Sequence, residues 1–179
     1  MIQVNLVATQ NYNLSQINRL KNIFQIMEKV LNTADFKSAV LNFKTNGELT
    51  FSFKKNPFKH FDIYSNEQVY AMIMQAREGV GNMGDGVIDL YLTLEPGGDG
   101  QNLGYGLQDE KEIHTYTDFF DNPATTDATL ANHFTHEWCH KLGFEHAKYR
   151  WMDSNRDDCS VPYAIGNLVE SLNSKPNLA

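Results

Sequence analysis

Apolar residues along the chain recur with two periods, and each period marks a kind of element. From about Asn13 to Leu31, Ile17, Leu20, Phe24, Met27 and Leu31 repeat at helical spacing and predict a long amphipathic helix, with a continuation to Phe36 left open. Ile2 to Ala8 is a short apolar run that predicts a first strand. Leu49, Phe51 and Phe53 alternate with polar residues, as in a strand. Val87 to Leu94 alternates more fully, with Ile88, Leu90, Leu92 and Leu94 on one face, and predicts a central strand. Leu103 to Leu107 is a possible short strand containing Gly104 and Gly106, and glycine in a strand often marks a place where another backbone comes close. Ile113 to Phe120 is a further strand candidate, stopped by Asp121-Asn122-Pro123. Glu67 to Arg77 carries a weaker helical pattern. A helix is predicted from about Asp127 to Leu142, ended by Gly143, and a last helix from about Pro162 to Leu172, where Pro162 suits the first turn. The clearest loop is Glu95-Pro96-Gly97-Gly98-Asp99-Gly100.

Length and charge narrow the classes. A chain of 179 residues suits one domain, or one domain split into two lobes by a cleft, and is long enough to bury a core without staples. The net charge of -7 and the lack of a dense Lys/Arg run argue against nucleic acid or an anionic membrane as partner. No stretch is long and apolar enough for membrane insertion. The N-terminal residues lack the basic start and apolar core of a signal peptide. Two cysteines, Cys139 and Cys159, allow one disulfide or two reduced thiols.

The chemistry concentrates in His136 to His146, which reads HEWCHKLGFEH. His136 and His140 are four apart, so on a helix they lie about 40° from each other and roughly 6 Å along the axis, where two imidazoles can reach one zinc ion. Glu137 points partly sideways from that face, so it can reach water on the metal without being a ligand. Gly143 can take a left-handed conformation, ending the helix and bringing His146 back as a third ligand. Three protein ligands leave a position open, as catalytic zinc requires. Leu130, Phe134, Trp138 and Leu142 form an apolar stripe roughly opposite the histidines, so one side is expected in the core and the other at a cleft. The five fixed positions would meet by chance in on the order of one chain in ten thousand, against roughly a few per cent for the H-E-x-x-H core alone, so the extended pattern is the informative one.

This H-E-x-x-H-x-x-G-x-x-H pattern resembles that of the metzincin clan of zinc endopeptidases. The specific likeness runs from Thr135 to about Tyr163, and the order of elements resembles the clan's plan more broadly. The resemblance implies an α+β fold with a mixed twisted sheet, two long helices and a small C-terminal lobe ending in a helix. It places the N-terminal lobe at about residues 1–143 and the C-terminal lobe at about 144–179 of one catalytic domain. It implies that Asn102 to Leu107 is the cleft-edge strand that pairs with substrate backbone. It also implies a secreted protein. The clan's turn methionine is missing: the matching segment is Cys159-Ser160-Val161-Pro162-Tyr163, Met152 lies in a polar stretch, and Val161 or Pro162 is expected to provide the apolar floor. With Val161 in the methionine's place, Tyr163 falls where some members carry a tyrosine that approaches the zinc, and it becomes a second catalytic candidate beside Glu137.

The function expected is therefore zinc-dependent endopeptidase activity on a protein or peptide substrate, by a metal-activated water with Glu137 as general base, in a monomer. The alternative is a catalytically silent zinc-binding module that holds a peptide or protein partner. A narrow amidase or peptidase acting on a small non-protein substrate is a third reading. His133, one turn before His136, reads first as a solvated helix residue and second as a group supporting the site. His60 and His114 read as isolated structural or exposed residues. Asp85, Asp89, Glu95 and Asp99 lie near glycine turns and could take calcium, but they lack a regular ligand spacing and read first as solvated loops.

Overall fold

Burial follows the alternation in the sequence. The computed structural model describes residues 1–44, 51–53, 62–78, 84–98, 103–107, 110–144, 146 and 160–175. Strand β1 (Gln3–Gln10) pairs in parallel with β4 (Val87–Glu95), and β4 pairs in parallel with β6 (Glu112–Tyr116). The short strand β5 (Gly104–Gly106) pairs antiparallel with β6, so the sheet is mixed, its order is β1-β4-β6-β5, and β4 lies inside it as expected. Ile88, Leu90, Leu92 and Leu94 are all buried on one face of β4. A separate two-stranded ribbon joins β2 (Phe51–Phe53) to β3 (Asp62–Tyr64). Leu49, expected with β2, lies outside the described residues.

Helix α1 (Leu14–Leu31) starts at a capping box in which Asn13 and Gln16 satisfy each other's backbone N–H. It buries Leu20, Ile23, Phe24, Met27, Val30 and Leu31. It does not continue to Phe36. The chain breaks at Asn32-Thr33, and the Thr33 hydroxyl accepts from Phe36 N at 3.0 Å to start α2 (Ala34–Leu41). Asn32 serves the sheet instead: its amide exchanges two hydrogen bonds with Ile2, while Glu28 accepts from Val4 N at 2.7 Å. These side chains occupy part of the outer edge of β1, where an unpaired strand would otherwise be open to pairing.

Helix α3 (Asn66–Gln75) begins at a second capping box, Ser65 with Gln68. The strand expected to reach Phe120 ends at Tyr116 and turns into the single-turn helix α4 (Thr117–Phe120). A continued strand would have put Phe119 and Phe120 on opposite faces. The turn buries Phe120 fully and lays Phe119 edge-on to His133.

Helix α5 (Asp127–Lys141) carries most of the motif. Thr126 caps its start, and Arg19 ties that start to α1 by bonding Asp127 at 2.8 Å and the carbonyls of Thr125 and Phe120. The apolar stripe of Leu130, Phe134 and Trp138 is fully buried, but burial extends around the helix to Ala131, His133, Thr135 and Cys139, beyond the one-sided pattern expected. Helix α6 (Val161–Asn173) explains part of this. It packs along α5 so closely at Gly166 that an added Cβ would lie 2.2 Å from Asn132 Oδ1 and 2.9 Å from its carbonyl oxygen. Glu170 accepts from Thr129 and Asn132 across the same seam. The chain is thus α+β, with a four-stranded mixed sheet and six helices among the described residues. No described helix is long and apolar enough to cross a membrane.

Trp138 is the one large member of the α5 stripe with a polar atom to satisfy, and its indole N–H donates to Glu78 Oε1 at 2.5 Å. The same carboxylate oxygen accepts from Asp89 N at 3.1 Å. Burial pushes Glu78 up to about 7; these two donors oppose the shift, and the carboxylates of Asp89 and Asp85 add to it. Between pH 4.5 and about 7 the folded protein holds a proton that the unfolded chain has released, so this contribution favours folding at the acid end and is lost as pH rises through 7. Denaturant unfolding of Glu78→Gln beside the wild type at pH 5, 6, 7 and 8 should show the variant gaining on the wild type as pH rises. A difference that stays flat would contradict this.

Candidate metal centre

Helix geometry brings the first two candidate ligands together, and the end of the helix brings the third. The Gly143 N–H bonds the His140 carbonyl at 3.0 Å and the Phe144 N–H bonds the Cys139 carbonyl at 3.1 Å. With Gly143 at φ 90, this is a Schellman ending, in which a left-handed residue turns the chain back over the last helical turn. Phe144 is fully buried and anchors the turn. His146, two residues on, then faces the helix. One ring nitrogen from each of His136, His140 and His146 lies within 4.8 Å of the others, and His136 Nε2 is 2.8 Å from His146 Nε2.

The donor set suits a metal ion. His136 is 9% exposed, and burial first, with the neighbouring histidines second, pulls its protonation down to about 2. The same causes pull His140 down to about 4. Both rings are therefore neutral at pH 7, the form in which imidazole is a ligand. The Phe144 carbonyl lies 2.6 Å from His140 Nδ1 and must accept its proton, which leaves the Nε2 lone pair for the cluster. Ring nitrogens converging this closely are a set that a single cation would satisfy. Among the described residues this is the one group of three or more such side chains so placed.

Glu137 stands beside the triad and faces β5. It is 7% exposed, and burial raises its carboxyl to about 7 against the opposing effects of the Gly106 N–H, which donates to it, and Lys141. The glycines of β5 allow this approach. A Cβ on Gly106 would lie 3.1 Å from the Glu137 carbonyl oxygen and 3.2 Å from its Oε2, and one on Gly104 would lie 2.0 Å from the His114 carbonyl oxygen. The close backbone contact suggested by the Gly-Tyr-Gly run is thus between β5, its partner strand and the motif helix, and β5 is an edge of the sheet. Tyr163, on the first turn of α6, places its ring 4.5 Å from that of His136 and 4.7 Å from that of His146. Val161 and Pro162, expected to form an apolar floor, are both buried.

Several other sequence readings change. His133 is not a solvated helix residue: it is buried, with Nε2 3.0 Å from Thr115 Oγ1. The helical wheel puts it on the ligand face, but only the seating of β5 and β6 over that face shows its burial. His114 is not isolated, since it bonds Glu95 at 2.7 Å and stacks on Tyr105 at 4.5 Å. The acidic residues near glycine turns are engaged as acceptors: Asp85 by Val87 N, Asp89 by Asn5, and Glu95 by Tyr105 and His114. Cys139 is buried, whereas Cys159, Met152, His60, Asp99 and Asn102 lie outside the described residues. Lys141 gave no signal beyond its charge. Its ammonium donates to the carbonyls of Leu107, Glu110 and Glu112 at 2.8, 2.9 and 2.7 Å, binding the turn between β5 and β6 to the last turn of α5.

No protein-family model matches this chain, and none of the curated proteins matches it. The site therefore stands on its own geometry. Calorimetric titration of the metal-free protein with Zn2+ should show one tight site, lost in His136→Ala and His140→Ala. Because the folded triad binds and an unfolded chain does not, an excess of free metal at about 100 times Kd should stabilise the fold by about 2.7 kcal/mol, read as a rise in Tm that EDTA reverses. No change in Tm with metal would remove the site.

Proposed function

We propose that this chain is a zinc-dependent endopeptidase of the metzincin type. The observation that carries this is the convergence of His136, His140 and His146 beside a desolvated Glu137. In this reading residues 1–179 are one catalytic domain, with the triad at the boundary between a part of about 1–143 and a smaller part of about 144–179. Zinc held by the three histidines supplies Lewis-acid chemistry, polarising a carbonyl and making water more acidic.

The chain's own groups do the rest. The Glu137 carboxylate takes a proton from the attacking water at one oxygen and delivers it to the leaving amine nitrogen. Its raised affinity for protons, near the pH of reaction, suits both halves of that transfer. The Tyr163 hydroxyl, carried by a ring packed against two of the histidines, donates a hydrogen bond to the developing oxyanion. Strand β5, at the edge of the four-stranded sheet among the described residues, would offer its outer backbone groups to an extended peptide, which supports a peptide substrate over a small molecule.

Peptide-library hydrolysis with metal analysis tests this. The wild type should cleave, and Glu137→Ala should keep its metal while losing roughly a hundred- to ten-thousandfold in rate. Tyr163→Phe should lose on the order of a hundredfold in kcat with KM little changed. A metal-replete wild type that cleaves no peptide would overturn the peptidase reading and leave a metal-dependent binding module.

A further inference from the structure

The Glu137 carboxylate has a second neighbour with no part in the mechanism above. His133, one turn earlier on α5, places Nδ1 3.7 Å from Glu137 Oε1 and Nε2 3.0 Å from the hydroxyl oxygen of Thr115 on β6. Phe119 and Phe134 flank the ring at 5.4 and 5.3 Å between centroids. Gly104 passes its edge, where an added Cβ would come within 2.9 Å of Cε1. Two strands and two aromatic side chains thus fix the plane of this imidazole.

The tautomer follows from what faces each nitrogen. The ring is buried, and desolvation pulls its protonation down to about 3, so it carries one proton. When Glu137 is ionised, the form in which it takes a proton from water, its carboxylate only accepts, so the nitrogen turned towards it is the one that bears hydrogen. Nε2 then offers a lone pair, and the Thr115 hydroxyl fills it. Thr115 in turn has the buried Tyr12 hydroxyl beside it, a donor at hand for the Thr115 oxygen. The opposite tautomer would set a nitrogen lone pair against a carboxylate oxygen with no water between them.

We propose that His133 is a positioning residue for Glu137, holding its proton on Nδ1 towards the carboxylate while the Thr115 hydroxyl at Nε2 fixes its orientation. This deepens the peptidase reading and rests on the role given there to Glu137. The Gly106 N–H holds the carboxylate from the strand side and His133 from the helix side. Contacts of this kind are commonly long before substrate binds and shorten afterwards.

Two measurements test the assignment. Ring-nitrogen NMR of 15N-histidine-labelled protein, metal-free and zinc-loaded at pH 8.5, should show His133 as the Nδ1–H tautomer; an Nε2–H pattern overturns the proposal. In peptide hydrolysis, His133→Leu and Thr115→Val should lose about ten- to a hundredfold in kcat at unchanged KM and zinc content. His133→Asn, whose amide donates from nearly the same place, should recover most of that loss. A folded, zinc-replete His133→Leu that turns over like the wild type overturns the proposal. If the wild type cleaves no peptide, the peptidase reading falls and the NMR alone decides His133, Nδ1–H sustaining its orientation by Glu137 and Nε2–H removing it.

Discussion

The approach of the Gly104–Gly106 strand to helix α5 is the contact on which the rest of the site depends. Strands and helices usually stand apart by the thickness of two side chains. Here one of the two layers is missing at alternate positions, and the backbone of β5 lies directly on His133 and Glu137. That closeness strips water from two polar side chains and supplies a backbone N–H to one of them. A carboxylate with a raised proton affinity and a neutral, immobile histidine are both results of the same short distance. The other flank of α5 is treated the same way, since Gly166 lets α6 lie on Asn132. A helix gripped on two sides by glycine contacts has little freedom to rotate about its axis. That rigidity holds a pair of imidazoles four residues apart in register.

The third histidine is positioned by different means. Its place depends on a helix ending, and the ending carries a chemical function besides its geometric one. The Schellman turn buries Phe144, and the carbonyl of that same residue selects the tautomer of His140. Packing, chain reversal and ligand protonation are therefore set by one residue pair, Gly143-Phe144. Three imidazoles brought this close would share a cation only in the folded chain, so metal binding and folding would be coupled at this point.

Much of the site was legible in the sequence because it is local. The spacing of His136, Glu137, His140, Gly143 and His146 is a property of one helix and its end, and the structure brings the three histidines together with Glu137 beside them. Strand β4 and helix α1 were legible from periodicity, since each turns one apolar face inward, β1 from its apolar run, and α5 and α6 from an apolar stripe and a first-turn proline. What escaped depended on partners distant in the chain. Phe119 and Phe120 look like strand residues until the core offers each a different pocket. Asn32-Thr33 ends one helix and starts another because Asn32 is needed at Ile2 and Thr33 at Phe36. His133 looks solvated on a helical wheel, and only the seating of β5 and β6 over that face makes it buried. Lys141 shows nothing until three carbonyls from another segment arrive at it.

Lys141 also bears on how such a chain can change over time. Its three donors all go to main-chain oxygens, so what it recognises first is the path of the chain at Leu107, Glu110 and Glu112, with the Glu110 and Glu112 carboxylates adding favourable charge. Substitutions at Leu107, Glu110 and Glu112 that preserve that path keep the three acceptors, whereas a change of length between them would leave a buried ammonium group without acceptors. The turn is thus constrained in length more than in composition. The edge strand beside the candidate metal centre can acquire a new surface chemistry without losing its seat on the helix.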